Sequence, residues 1–214
     1  MSKKILLTLL FILGFITAWA QTNWELRADK DGIKVYSSEF PDSKIKAIRV
    51  IGEFNATPTQ LAAVVMDVNT ATEWVDRLKS STLIKRVSAN ELYYYAEVNL
   101  PWPAANRDFV AHLTATQDPD TKVVVVDGPA VDGFMPVKKG VVRIENSIGR
   151  WIITPIGANR VRVEYSIHVD PGGSLPSWLV NMFATDAPVQ IFKHLRTELQ
   201  KPGYKNTAFL ASDN

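Results

Sequence analysis

The segment that decides the fold is RVRVEYSIHVDPGGSLPSWLVNMFATDAPVQIFKHLRTEL, residues 160–199. Apolar and polar residues alternate over Arg160–Val169, which is the two-residue period of a strand with one buried face. Turn residues follow at Asp170–Pro176, and apolar residues then recur at helical spacing from Ser177 to Leu199. Pro188 is expected to kink this helix or to remove one of its hydrogen bonds. The segment therefore predicts a strand that leads into one long terminal helix.

The chain upstream of this segment shows the same two-residue period over much of its length. Short turn-rich stretches such as Ser88–Asn90 and Gln117–Asp120 separate the periodic segments, which indicates antiparallel hairpins. We expect strands at Ser81–Val87, Glu91–Leu100, Phe109–Thr116, Lys122–Asp127, Gly140–Glu145 and Arg150–Thr154.

The first eighty residues supply the remaining predicted elements. Gly32–Ser37 and Lys44–Phe54 alternate as strands, and Trp24–Ala28 is expected to begin a short helix. Thr57–Gln60 and Thr70–Glu73 each resemble a capping box that opens a helix. Only helices can cover the apolar face of the sheet. The predicted fold class is therefore α+β, a helix-grip arrangement in which a curved antiparallel sheet wraps around a long C-terminal helix.

The N-terminus reads MSKKILLTLLFILGFITAWA over residues 1–20, with two lysines before an apolar run and Ala18-Trp19-Ala20 at its end. This pattern is typical of a cleaved secretory signal peptide, and an uncleaved N-terminal anchor is the alternative. We expect residues 21–206 to form one domain and residues 207–214 to be a frayed tail. The chain is then exported, periplasmic or extracellular.

Composition limits the possible functions. The 24 basic and 22 acidic residues of the whole chain become 22 of each once Lys3 and Lys4 are removed with the signal peptide. A near-neutral chain offers no electrostatic case for binding nucleic acid. The absence of cysteine excludes disulfides and thiolate chemistry. The three histidines, His112, His168 and His194, do not have the spacing of metal ligands, so no metal site is expected.

Large apolar and aromatic side chains are abundant, whereas phosphate-binding and nucleophile motifs are absent. A curved sheet on one helix can enclose an apolar pocket, although an ordinary core is the better explanation of any single aromatic residue. Arg107 and Asp108 open a predicted strand, and their side chains must point to opposite faces. If Phe109 faces inward, Arg107 faces inward as well, because the two residues are separated only by Asp108 on the same strand. A buried arginine needs an anion, either a protein carboxylate or a ligand phosphate or carboxylate.

Five motifs in the same order resemble the StAR-related lipid-transfer (START) domains, and the resemblance covers nearly all of the expected mature chain. They are Gly32-Ile-Lys-Val-Tyr, Met66-Asp67 through Glu73-Trp74, Asn106-Arg-Asp-Phe-Val, Trp151-Ile-Ile-Thr-Pro and Asp170-Pro-Gly-Gly-Ser-Leu-Pro-Ser-Trp-Leu-Val-Asn. The resemblance implies an internal tunnel for one lipid or other hydrophobic molecule, with no cofactor. It also implies a lid formed by Gly133–Val137 and Trp178–Phe183.

The resemblance implies that Arg107 binds a lipid phosphate. The strand after it lacks the second arginine that sterol-binding members often carry, which argues against a sterol. Export is a departure from the mostly cytoplasmic family and suggests a Gram-negative envelope. The predicted lipid-binding residues are Arg107, Tyr94, Trp102, Phe109, Phe134, Met135, Trp151, Tyr165, Trp178, Met182 and Phe183.

The leading hypothesis is a monomeric, non-enzymatic lipid carrier or sensor whose lid touches a membrane surface transiently. The second is an enzyme of the wider helix-grip superfamily, of cyclase or hydratase type, with His112, Tyr94 or Asp108 as its acid or base. General acid–base groups must converge on a substrate, and the sequence shows no such pairing. The third hypothesis is an interaction module with a filled core.

Overall fold

The computed structural model describes residues 23–41, 43–173 and 175–204, so the predicted signal peptide and frayed tail lie outside the described part. Two helices are described, α1 (Pro58–Met66) and α2 (Ser177–Glu198), with short 3-10 turns at Ala71–Glu73 and Pro202–Tyr204. The strands are β1 (Glu25–Lys30), β2 (Ile33–Phe40), β3 (Ser43–Phe54), β4 (Leu78–Ser88), β5 (Glu91–Val98), β6 (Asn106–Gln117), β7 (Val124–Pro129), β8 (Val141–Arg143), β9 (Ser147–Gly157) and β10 (Arg160–Val169).

These strands form one sheet in the order β1-β2-β3-β10-β9-β7-β6-β5-β4, with β8 added beside β6. Helix α2 continues through Pro188 as one element and packs across β2 and β3. The predicted α+β class, a curved antiparallel sheet around a long C-terminal helix, is confirmed.

The predicted helix at Trp24–Ala28 is wrong, because this segment enters edge strand β1. Asp31 and Gly32 have positive φ angles of 55° and 73°, and they join Lys30 to its partner Ile33. Two left-handed residues at such a position make a tight hairpin turn whose twist matches the flanking strands. Pairing with β2 therefore overrides the weak local helix pattern.

The capping motif of helix α1 is confirmed, whereas the second predicted capping box is wrong. Thr57 accepts a hydrogen bond from the backbone N–H of Gln60 at 3.2 Å, and the Gln60 side chain reaches the carbonyl oxygen of Leu199, also at 3.2 Å. Thr70 instead donates its hydroxyl hydrogen to the carbonyl of Asp67, and only the 3-10 turn Ala71–Glu73 follows. A hydroxyl used in this way does not cap a new helix.

Strand β8 departs from the predicted series of antiparallel hairpins. It pairs in parallel with the start of β6, with Asn106 opposite Val141, while β7 pairs directly with β9. Strand β7 covers only the last residues of β6, from Thr114 to Gln117, which leaves the first part of that edge open for β8. The loops that precede β6 and β8 consequently emerge at the same end of the sheet.

The tightly packed part of the core lies under the second half of α2. Phe192 and Leu195 are completely buried there, in the same core cluster as Val161 and Val163 of β10. Gly52 of β3 permits the close approach of Phe192, because a β-carbon at that position would lie 3.0 Å from a ring carbon of Phe192. The end of α2 is also tied to the β1–β2 turn by the 2.7 Å ion pair between Lys193 and Asp31.

Candidate functional site

The two layers pack less tightly towards the first half of α2. Along the inner face of β10, Val161 and Val163 are completely buried, but Tyr165 and Ile167 remain half-buried. Ala184 of α2 is half-buried as well, although it packs against the core. Inward-facing apolar side chains that stay accessible are the kind of wall that apolar ligand sites have.

Aromatic rings lie on this inner face. Trp151 of β9 stacks on Tyr165 with a centroid distance of 4.1 Å, and Tyr94 of β5 meets Phe109 of β6 edge-on at 5.8 Å. Trp151 also approaches Phe192 at 6.1 Å, which joins the cluster to the packed core. The structure thus brings four predicted site residues to one face.

The hydroxyl groups of Tyr94 and Tyr165 lie in a desolvated environment on the inner face. Burial raises the pKa of both side chains well above the usual value, and the proximity of Tyr94 raises that of Tyr165 further. Among the described residues, neither hydroxyl has a hydrogen-bond partner. The Tyr165 oxygen lies over Gly149, 3.6 Å from where a β-carbon would stand. Both groups are therefore neutral donors without a protein acceptor.

Arg107 lies on the inner face at the start of β6 and is 5% exposed. Its guanidinium donates to the carbonyl oxygens of Pro171 at 3.1 Å, Gly172 at 3.0 Å and Ala105. Burial lowers its pKa. Within the described residues, no carboxylate pairs with it, so the expected protein anion is replaced by backbone carbonyls. Arg107 thereby joins β6 to the segment that leads into α2, and its contact with a lipid phosphate stays a prediction.

Asp108 is completely buried on the opposite, outer face of the sheet. It pairs with Arg143 at 2.7 Å and accepts a hydrogen bond from Tyr95 at 3.1 Å. Beside it, Glu97 accepts from Lys79 at 2.7 Å and from Asn106 at 2.9 Å. Asp108 is buried although it faces outward, because the outer face is also covered here.

The cover is the loop over residues 130–140. Arg143 donates to the carbonyls of Met135 and Pro136, and Lys138 lies over the ring of Tyr95. The hydrogen bonds from Lys79 and Asn106 are the main cause that lowers the pKa of Glu97 to about 2. Sequence reasoning missed this network. The signal available was the cross-strand pair of two acids, Glu97 opposite Asp108, which requires cations nearby.

Several predicted lipid-binding residues lie away from the inner aromatic cluster. Phe134 stacks on Tyr93 at 4.4 Å on the outer face, next to the half-buried Met135. Trp102 is 90% exposed in the loop before β6, and Trp178 is 52% exposed at the start of α2. Met182 and Phe183 of α2 are half-buried. Ligand contacts by all of these residues stay predictions.

The candidate acid–base groups do not converge. His112 stacks on Tyr93 and bonds Glu91 at 2.8 Å on the outer face, where Asp108 is also found, whereas Tyr94 faces inward. In the described part of the chain, no group of acidic or histidine side chains has the arrangement of a metal site. No described helix is long and apolar enough to cross a membrane.

A surface pocket of about 230 Å³ lies near the end of α2. Its volume is below the usual range for small-molecule sites, roughly 300–1,000 Å³. Its lining is largely charged or polar and consists of Glu53, Phe54, Asn55, Arg160, Arg196, Leu199 and Gln200.

Comparison with known proteins agrees with this geometry. An uncharacterized protein of Pseudomonas aeruginosa is 34% identical over 84% of this chain and 88% of its own length. Phosphatidylcholine transfer protein of Bos taurus is 28% identical, with 86% of each chain covered. The crystal structure of a STAR-related lipid transfer protein from Xanthomonas axonopodis superposes with a TM-score of 0.75 at 34% identity, covering 83% of this chain and 99% of that one. Residues 17–205 match the START domain family, and the chain therefore belongs to that family.

Proposed function

We propose that the protein holds one lipid, or another hydrophobic molecule, between the inner face of the sheet and the first half of α2, and that it acts as a carrier or sensor. The half-buried inward-facing residues there, such as Tyr165 and Ile167, carry the proposal. The family and the phosphatidylcholine transfer relative support it. The contact residues would be Tyr94, Phe109, Trp151, Tyr165, Met182 and Phe183.

Transfer energetics favour such a complex without a charged anchor. Each methylene group removed from water contributes about 0.8 kcal/mol, so ten of them contribute roughly 8 kcal/mol. Part of this is offset by the lost freedom of the bound lipid, for which estimates begin at about 4 kcal/mol. At this lower estimate of the cost, the remainder favours binding of an acyl chain by an apolar wall alone.

Filling the inner space tests the proposal. Ala184→Trp adds a large ring where α2 packs against the core cluster, and Gln190→Trp adds the same ring at an exposed position further along the helix and on another face. After incubation with phosphatidylcholine vesicles, mass spectrometry of the re-isolated protein should show at least tenfold less lipid in the first variant and an unchanged amount in the second. Equal lipid in folded samples of both variants contradicts the location.

Contact with a membrane surface is proposed at the end where β6 and β8 begin. Trp102 and Val137, which are 90% and 67% exposed, lie in the loops before these strands. Trp178 follows the Pro171–Gly172 segment that Arg107 holds at the same end. Aromatic residues that combine an apolar ring with a polar N–H favour a membrane interface. The first turns of α2 lie beside this end and are the proposed lid.

Export through the N-terminal signal is the remaining proposal. It rests on the lysine pair, the apolar run and the Ala-Trp-Ala site of residues 1–20. Sequencing the N-terminus of protein recovered from the cell envelope tests it, with Gln21 expected as the first residue. A product that retains Met1, with or without membrane attachment, contradicts cleavage.

A further inference from the structure

We propose that the surface pocket near the end of α2 binds a small oxyanion, of the size of phosphate or a short carboxylate. The pocket measures about 230 Å³, which suits an ion of this size better than a drug-sized molecule. The ends of β3 and α2 and the start of β10 meet there, and none of its lining residues is among the proposed lipid contacts. The site is therefore additional to the proposed lipid site.

Arg196 is the lining residue that most clearly indicates an anion. It is half-buried and forms no ion pair with a carboxylate among the described residues. Its Nη1 donates to the backbone carbonyl of Asp31 at 3.0 Å, while the Asp31 carboxylate pairs with Lys193 at 2.7 Å. The other N–H groups of Arg196 have no acceptor in the described part of the chain. Planar guanidinium donors match the oxygens of a phosphate or carboxylate.

The pocket also contains further donors. Arg160 adds a second guanidinium, and one of its terminal nitrogens lies 3.2 Å from the carboxylate of Glu53. Asn55 and Gln200 are exposed, and the side-chain amide of each can present an N–H group to a bound ion. The lining can therefore surround the oxygens of one anion with donors from both the sheet and the helix end.

The charge balance of the lining favours an anion. Two guanidinium groups face one carboxylate, Glu53, and Arg160 pairs with it. The carbonyl oxygens at a helix C-terminus repel anions, but here the carbonyl of Leu199 accepts a hydrogen bond from Gln60 at 3.2 Å. One positive charge remains, and it belongs to Arg196. An oxyanion that neutralises this charge would join the end of α2 to β3 and β10.

Titration of the purified, ¹⁵N-labelled protein tests the inference. Inorganic phosphate and acetate, added separately at constant ionic strength, should shift the NMR signals of Arg196 Nε–H and the Gln200 amide until saturation. We expect affinities in the millimolar range for a partly exposed site. Arg196→Gln should weaken binding at least tenfold, and Arg160→Gln several-fold, with the Gln200 amide as the common signal. Glu53→Gln removes the opposing charge and should strengthen binding several-fold.

Arg86→Gln is the matched control, because Arg86 is exposed on edge strand β4 and does not line the pocket. Shifts that do not saturate, or equal losses in Arg86→Gln and Arg196→Gln, overturn the site. Arg196→Gln also loses the bond to Asp31, so the exposed Arg160 and Glu53 supply variants that test the site even if Arg196→Gln does not fold. If Arg196→Gln impairs sedimentation with phosphatidylglycerol vesicles while free phosphate does not bind the wild type, the small-ion site is wrong and the arginine serves a lipid surface. All of these outcomes leave lipid binding on the inner face untouched.

Discussion

Arg107→Met removes the guanidinium that ties the start of β6 to the segment before α2. Three hydrogen bonds to backbone carbonyls are lost. Hydrogen bonds from a charged donor contribute about 1.5 kcal/mol each at the low end, or roughly 4.5 kcal/mol together. The variant no longer carries the cost of desolvating a buried cation, which offsets part of the lost hydrogen-bond energy. We therefore expect the free energy of unfolding to fall by roughly 3 kcal/mol. For a domain of this size that loss lowers the melting temperature by roughly 6–12 °C.

Differential scanning calorimetry and amide hydrogen exchange measure the two consequences. The melting temperature should fall, and exchange should accelerate around Gly172 and the first turn of α2 more than at Phe192. Arg107→Lys is the control, since an ammonium keeps the charge but cannot span the carbonyls of Pro171, Gly172 and Ala105 in the same fork. It should therefore restore only part of the stability.

The same variants separate a structural role for Arg107 from the predicted phosphate contact. If Arg107 binds a headgroup, Arg107→Met and Arg107→Ala lose anionic phospholipids from the purified protein. Unchanged headgroup occupancy contradicts the anchoring role. Unchanged stability and unchanged exchange at Gly172 refute the structural role derived from the three carbonyls.

Two further results are expected. The carboxylate of Glu97, whose pKa is lowered from 4.5 to about 2, stabilises the folded state above pH 4.5 and loses this effect as the pH falls towards 2. Urea unfolding should accordingly show a deficit for Glu97→Gln at pH 7 that shrinks below pH 4.5, and a pH-independent deficit contradicts this. Trp102→Ser should weaken sedimentation with phosphatidylcholine vesicles several-fold, whereas Ile156→Ser, which alters a 39% exposed residue at the far end of β9, should not. Equal losses in both variants would argue against a membrane-facing end.

The elements that could be predicted are those whose signal is local. The alternation of Val161, Val163 and Tyr165 with polar residues indicates a strand with one buried face. The helical spacing of apolar residues after Ser177 predicts the long helix up to its last turn. The parallel pair of β8 with β6 has no such signal. It depends on which part of the β6 edge β7 leaves open, and that is decided only when the strands assemble.

The candidate site was predictable to the same degree. Strand alternation places Tyr165 on the inner face but allows either Tyr94 or both its neighbours to face inward. In the structure Tyr94 faces inward and meets Phe109, and Trp151 stacks on Tyr165. Phe134 belongs to a loop, for which periodicity gives no face, and its ring lies on Tyr93 outside the sheet. The partners of Arg107 are carbonyl oxygens, which every residue carries, so no pattern of side chains could identify them.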